Sequence, residues 1–384
     1  MSFMEEKDME NYLGESIPKL GFGLMRLPMC GEQIDLEQTK EMVDLFMDAG
    51  FRYFDTAYVY NDGESERAAK AALVDRYPRE SFYLATKLPG FSAKSKADAE
   101  RMFYTSLERT GAGYFDFYLL HSLSADREKA FEDYDLWNFI AARKKEGLIR
   151  HIGFSFHDTA DELDKLLTGH PEVEFVQLQI NYIDWESATV QSRLCYETAR
   201  RHGKPVIIME PVKGGSLANL PSDAAKILDD LHGGSAASYA IRFAAGFDGV
   251  FMVLSGMSNL GQMKDNLSHM KDFKPLDEKE RAAVDEVCAV FRSKNLIPCT
   301  ACRYCTDGCP KHIDIPNLFS CMNSKYVYKS WNVKYYYDKV YTKRNGKASD
   351  CIKCGKCERS CPQHLPIRKL LEEVAAEFEK ADNE

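Results

Sequence analysis

LEQTKEMVDLFMDAGFRYFDTAYVY, residues 36–60, contains one full period of a repeating pattern. In its first half Met42, Val43, Phe46 and Met47 recur at helical spacing among charged residues, and Gly50 supplies a helix stop. RYFDTA then reads as a short strand, apolar and aromatic, that ends on a charge, Asp55. Working outward, the same alternation recurs along the chain. Strand-like runs are KLGFGLM (19–25), FYLATK (82–87), FDFYLLH (115–121), HIGFSF (151–156), FVQLQINY (175–182), PVIIMEP (205–211) and GVFMVLSG (249–256). Amphipathic stretches lie between them; SRLCYETARRHG (192–203) again ends in glycine. Eight strand–helix units in about 250 residues are the repeat count and length of a TIM (β/α)8 barrel. A doubly wound open sheet is the competing α/β fold. It loses on the count of eight and on the lack of G-x-G-x-x-G after the first strand.

The last quarter of the chain is different. CTACRYCTDGCP places Cys299, Cys302, Cys305 and Cys309 in a C-x2-C-x2-C-x3-C-P run, and CIKCGKCERSCP repeats it with Cys351, Cys354, Cys357 and Cys361. That spacing holds two 4Fe–4S clusters, with each fourth cysteine ligating the other cube. Zinc needs paired C-x2-C units rather than a close triplet followed by C-P. A disulfide framework belongs to small secreted domains. Cys30, Cys195, Cys288 and Cys321 lie outside the motif and read as buried or idle thiols.

The two phrases are 52 residues apart, and the likeness continues beyond the cysteines, CPKHIDIPNLF paralleling CPQHLPIRKLL. This is the mark of an internal duplication. The 41 residues between Cys309 and Cys351 are long for a compact ferredoxin of β-hairpins. They read as helical packing, and the aromatics of YVYKSWNVKYYYDKVY (326–341) as its core. The expected architecture is a barrel with a C-terminal, mainly α-helical dicluster ferredoxin-like domain. Its expected divisions are an N-terminal extension (1–16), the barrel (17–275), a linker helix (276–294) begun by Pro275 and Asp277, and the cluster domain (295–384).

Composition narrows the partners. A net charge of −9 and a pI near 5.6 argue against nucleic acid. No apolar run approaches the ~18 residues that span a bilayer. The N-terminus is acidic, without a signal-like apolar stretch. The expectation is a cytoplasmic protein with no membrane partner.

Four polar residues fall at or just past successive strand ends, where TIM barrels do their chemistry: Asp55, Tyr60, Lys87 and His121. A nearby ammonium favours a phenolate, an aspartate fixes the ammonium, and an imidazole meets charge growing on a carbonyl oxygen. FDTAYVY, ATK and LLH, in this order and spacing, resemble the catalytic tetrad of the aldo/keto reductases, with the likeness running from about Lys19 to Met270. The resemblance implies Tyr60 as general acid, tuned by Lys87 and Asp55, with His121 positioning the substrate carbonyl. It implies a nicotinamide cofactor, with Ser155 and Gln177 on the carboxamide. Lys213, Gly214, Gly215, Ser216 and Leu217 would meet the pyrophosphate, and Gly256, Gln262 and Asn266 would lie along the phosphate-binding stretch after strand eight. The implied substrate is a small carbonyl or alcohol.

The chain departs from that family's habits at several places. Phe156 stands where Asn is common, Met209 and Glu210 where a tyrosine stacks on the nicotinamide, and Leu24 where Thr is frequent. Gly256 and Gln262 replace the two cations that grip a 2′-phosphate, which leaves NADH and NADPH both open. Arg26 lies at the rim, as an ordinary surface arginine or as one facing an anionic substrate. Hydride moves two electrons and a cube moves one. A flavin is the usual adaptor, on this chain or on a redox partner such as a flavoprotein or ferredoxin. The alternative is an electron-transfer subunit whose barrel is a docking scaffold for a flavoprotein, without carbonyl turnover.

Overall fold

The computed structural model describes residues 12–294, 296–328 and 333–379. The chain forms two compact units. One is the chain up to Pro211 together with Ala237–Lys279; the other is Val212–Ala236 together with the chain from Glu280 onward.

The first unit is a closed barrel of eight parallel strands. These are β1 (Leu20–Gly23), β2 (Tyr53–Asp55), β3 (Tyr83–Leu88), β4 (Phe115–Leu123), β5 (Ile149–Phe156), β6 (Phe175–Gln179), β7 (Val206–Met209) and β8 (Val250–Ser255). All eight fall where the sequence places them. The ring closes through β1, which pairs with both β2 and β8. Helices α1 (Leu36–Asp48) and α2 (Leu260–Met270) cover the expected segments. Asp35 caps α1 by accepting from the Gln38 amide at 3.0 Å, and the α1 side facing the barrel buries Met42, Val43, Phe46 and Met47. A short antiparallel hairpin, Met29–Cys30 against Gln33–Ile34, follows β1 and has no counterpart in the sequence reading.

Strand alternation sorts the barrel interior into layers. Tyr53, Ala85, Phe117, Leu119, Phe175 and Phe251 form an apolar cluster, and Tyr12, Leu13 and Ile17 pack against it. Tyr83 also donates to Glu15 at 2.7 Å. Two residues further along β2, β3, β4 and β6, the same inward rows carry Asp55, Lys87, His121 and Gln177. The polar residues therefore share one end of a packed barrel because the period is two.

A helix α3 (Glu278–Lys294) leads into the second unit, where α4 (Ile315–Tyr328) and α5 (Ile367–Phe378) contribute to a core of Ile313, Ile315, Leu318, Phe319, Leu365, Ile367, Leu371 and Phe378. The duplication is visible in the backbone. Ala301, Arg303 and His312 adopt left-handed φ of 52°, 66° and 50°, and their counterparts Lys353, Gly355 and His364 adopt 57°, 73° and 49°. The intervening chain is mainly helical where described, as expected. Its aromatics are only partly core: Tyr337 is fully buried, whereas Tyr326, Tyr335 and Tyr336 are 45–60% exposed. Tyr341 is partly buried and packs against the core; Trp331 lies outside the described residues, as do Asn295 and residues 1–11 of the N-terminal extension.

Candidate active site and cluster cradles

Lys87 sits at the centre of the barrel site. It is 1% exposed, and its Nζ lies 2.5 Å from Asp55 Oδ1, 2.8 Å from the Thr56 carbonyl and 3.2 Å from Tyr60 Oη. The ammonium also stands 4.8 Å from the Tyr60 ring centre. The Tyr60 and His121 rings meet edge to face at 5.9 Å. The four predicted catalytic residues are thus one cluster, gathered from three strands and one loop.

Burial dominates the electrostatics. It pulls the Lys87 amine below its ordinary value, against the opposing pull of Asp55. It likewise raises the Asp55 carboxyl, against Lys87 and a hydrogen bond from Gln177. His121 is held well below its ordinary value, first by burial and then by the cations Lys87 and Arg127 and by His157. His121 is therefore a neutral imidazole near pH 7.

Tyr60 is held by a device the sequence reading missed. Asn61, Asp62 and Gly63 follow it with φ of 50°, 54° and 89°, three consecutive left-handed residues. Arg109 braces this loop: its guanidinium donates to the Tyr58 carbonyl at 3.0 Å, lies 4.3 Å from the Tyr58 ring centre, and pairs at 3.2 Å with fully buried Glu66. Glu66 in turn accepts from Thr86, the residue before Lys87. A Cβ on Gly63 would come within 2.5 Å of that guanidinium, and the φ of 89° strains any residue but glycine. Nothing in ESER (64–67) signals a buried carboxylate. Only its distant partner, Arg109, gives it that role.

The predicted cofactor residues separate into groups. Ser155 and Gln177 are register neighbours on β5 and β6, both 1% exposed, and the Ser155 hydroxyl accepts from the Ser122 amide at 2.7 Å. Asn266 donates to Ser255 at 2.7 Å in a buried contact. Gln262 spends its side chain at the start of α2, accepting from the Ser258 amide at 2.7 Å. Arg26 lies against Gly256 and pairs with Glu210 at 3.8 Å, so it is neither plain surface nor unengaged. Lys213, Gly214, Gly215, Ser216 and Leu217 fall in the second unit, as part of Val212–Ala236. A further buried network joins Gln179, Asn181 and Asp184, both amides donating to Asp184 Oδ2 at 2.8 and 2.7 Å. The sequence reading gave these three no role.

The cysteines gather around two cavities. Cys299, Cys302, Cys305 and Cys361 line one of about 310 Å³; Cys351, Cys354, Cys357 and Cys309 line another of about 330 Å³. Each fourth cysteine has crossed to the other triplet, as the motif requires. Burial, then the nearness of Cys302, Cys299, Cys361 and Cys357, pushes the Cys305 thiol up, as expected of thiols gathered for a cation. Among the described residues no three His, Cys, Asp or Glu side chains converge as on a single metal ion. Of the other cysteines, Cys195, Cys288 and Cys321 are buried and Cys30 is exposed.

With this geometry in hand, the comparisons are specific. Residues 19–289 match the aldo/keto reductase family, and residues 298–366 match a 4Fe-4S dicluster domain. The chain belongs to the aldo/keto reductase family. An aldo-keto reductase of Mycolicibacterium vanbaalenii is 30% identical over 275 residues, 70% of this chain and 88% of that protein. One from Mycobacterium sp. (strain MCS) is 29% identical over 270 residues, 69% and 86% of the respective chains. Among solved structures, an aldo-keto reductase from Bacillus halodurans shares the barrel fold at TM-score 0.59 and 24% identity, over 71% of this chain and 93% of that one. One from Klebsiella pneumoniae, solved with NADPH, does so at 0.57 and 21%, over 71% and 92%. Among the described residues no helix is long and apolar enough to cross a membrane.

Proposed function

We propose that this reductase interconverts a small carbonyl and its alcohol at Tyr60, Lys87, Asp55 and His121, and moves electrons singly through its two cysteine cradles. The observation that carries this reading is the placement of Lys87 Nζ between Asp55 Oδ1 and Tyr60 Oη. In the reductive direction the Tyr60 hydroxyl gives its proton to the substrate oxygen, and the Lys87 ammonium stabilises the phenolate left behind. Asp55 holds that ammonium in place. His121, neutral, directs an N–H at the same oxygen and adds no competing charge. When bound, a nicotinamide supplies or accepts the hydride; Ser155 and Gln177 are the residues to hold its carboxamide. Gly256, Gln262 and Asn266 on the barrel, and Lys213 to Leu217, are the candidates for its phosphates. NADPH bound to the Klebsiella relative supports a nicotinamide in this family's barrel. The choice between NADH and NADPH, and a flavin adaptor on this chain or on a flavoprotein or ferredoxin partner, belong to the same proposal, as does a cytoplasmic setting.

The test is Tyr60→Phe in protein reconstituted with iron and sulfide without oxygen. Carbonyl reduction with NADH or NADPH across an aldehyde panel falls by about a thousandfold or more, while dithionite reduction of the clusters is unchanged. Retained turnover overturns the assignment. A second reading has two observations in its favour. Gln262 is committed to capping α2, and Glu210 holds Arg26 where the family stacks a tyrosine. On that reading the barrel is a docking scaffold without carbonyl turnover, and wild type and Tyr60→Phe are equally inactive toward aldehydes.

A further inference from the structure

The duplicated halves of the cluster unit share a backbone but differ in what covers them. Thr300, between the first two cysteines of the first motif, is 2% exposed. It lies under Gly214 in the same unit, where a Cβ on Gly214 would come within 2.2 Å of the Thr300 carbonyl. Its counterpart 52 residues on is Ile352, which is 57% exposed. Cys302 is half-buried and its counterpart Cys354 is exposed. One cradle is roofed by protein; the equivalent surface of the other carries an apolar side chain in water.

Charge follows the same asymmetry. Ala301, Tyr304, Asp307, Pro316 and Asn317 of the first copy become Lys353, Lys356, Arg359, Arg368 and Lys369 in the second. Residues 299–320 carry two basic and two acidic side chains, while residues 351–372 carry five basic and two acidic. Lys343, Arg344 and Lys347 precede the second motif and are exposed. Lys353, Arg368 and Lys369 pair with Glu372, Glu358 and Glu373, at 2.5, 2.7 and 4.0 Å. The surplus remains positive, on a chain whose net charge is −9. Beside it runs an open cleft of about 930 Å³, lined by Lys353, His364, Arg368 and Lys369 together with the acidic Glu358 and Glu372. In a duplicated fold the shared backbone needs only the cysteines and the core. Arg303 and Lys311 become Gly355 and Gln363, so the second copy gains three cations net, more than the shared backbone needs.

We propose that Ile352 and its basic rim are the docking surface for an acidic one-electron carrier protein, which exchanges electrons with the cluster held by Cys351, Cys354, Cys357 and Cys309. The assignment rests on the electron-transfer reading above and adds the surface and the charge of the partner. An apolar centre inside a charged rim is the anatomy of a transient protein interface. The complementary field steers the encounter and sets the rate. With the cube held by those cysteines, one electron would pass from it to the carrier with no bond made or broken on this chain; where the carrier is a flavodoxin, its flavin takes one proton from water as it becomes the neutral semiquinone.

The experiment uses the reconstituted holoprotein and a purified acidic flavodoxin. Binding is read by calorimetry, and electron transfer by stopped-flow formation of the flavin semiquinone. Raising salt from about 20 to about 200 mM weakens binding by about tenfold. Arg359→Glu with Lys369→Glu, both outside the cysteine triplet, weakens binding and slows transfer by about tenfold and flattens the salt dependence. Reduction of a small neutral quinone by the same variant stays at the wild-type rate. Arg359→Gln with Lys369→Gln falls between. Binding that ignores both salt and charge reversal overturns the surface. Tighter binding of a random oligonucleotide than of the flavodoxin also overturns it, leaving a general anion surface. Reduced holoprotein that fails to reduce the quinone overturns the electron-transfer reading itself, an outcome distinct from a failure of docking.

Discussion

The barrel site and the cluster cradles solve the same problem, holding reactive groups still, by opposite means. Asp55, Lys87 and His121 come from three strands and stand in place because a packed barrel fixes them. The cysteine triplets come from short loops with repeated left-handed residues, drawn around two cavities of about 310 and 330 Å³. The barrel site contains its own counter-charge. The cradles gather cysteines whose thiolates need a metal group to neutralise them. The difference teaches that the barrel is organised before its ligand arrives, whereas the cluster unit depends on its cofactor to complete its core.

Removing iron is the largest test of that contrast. Metal binding in small metal domains is worth about 10 kcal/mol or more of folding energy. Anaerobic chelation should therefore abolish the cooperative unfolding of the cluster unit and open it to trypsin, which the barrel should resist. A cluster unit that keeps its cooperative melt without iron breaks the comparison.

On the barrel side the equivalent experiment removes one charge. Lys87→Met leaves Asp55 buried without its ion-pair partner, a loss of about 3–5 kcal/mol in barrel stability. Asp55→Asn with Lys87→Met should regain most of that stability in denaturant unfolding and none of the carbonyl reduction. Equal destabilisation by the single and double variants would show that the pair is not coupled.

The same contrast explains what the sequence made readable. The eight strands were legible because each is a local run with its own period, and the tetrad because each member sits at or just past a strand end. The cysteine crossing followed from spacing alone. Glu66 was invisible because its role depends on Arg109, 43 positions away and across a fold not yet built. Gln262 reads as a phosphate position by alignment, yet a local backbone amide claims its side chain. Ile352 looks like core in any hydropathy pattern. Its exposure emerges only when it is set against Thr300 in the other copy.

Two glycines sharpen the comparison further. Gly63 in the barrel and Gly214 in the cluster unit both have positive φ, 89° and 64°. A Cβ on Gly63 meets the end of the Arg109 side chain, which can swing aside; a Cβ on Gly214 meets the Thr300 backbone, which cannot without moving the Cys299–Cys302 loop. Both alanine variants lose about 1–2 kcal/mol to left-handed strain, and Gly214→Ala loses about 1–3 kcal/mol more to overpacking. Gly63→Ala should lower carbonyl turnover with cluster spectra unchanged. Gly214→Ala should alter the electron paramagnetic resonance of one reduced cluster. The reverse pattern would place the tighter constraint in the barrel.

The smallest expected effect is set by pH, and it concerns the barrel alone. Burial, then Lys87, Arg127 and His157, holds His121 well below its ordinary value. Below a pH of about 6.5 the unfolded chain binds a proton at this position that the folded barrel refuses. Stability from this group is therefore complete above that pH and is lost as pH falls toward the folded value, at up to about 1.4 kcal/mol per unit. Glu174 acts in a separate window: despite partial burial, His151 and Lys144 hold its carboxyl down to about 2, so its contribution is lost only below the ordinary carboxylate range. Urea unfolding of the barrel at pH 7 and pH 5.5 isolates the imidazole when compared with His121→Gln, which cannot titrate. The wild type should lose about 1 kcal/mol more than the variant over that interval. Equal slopes would mean that His121 takes up its proton in the folded barrel, and a charged imidazole beside Lys87 could not be the neutral donor the carbonyl chemistry requires.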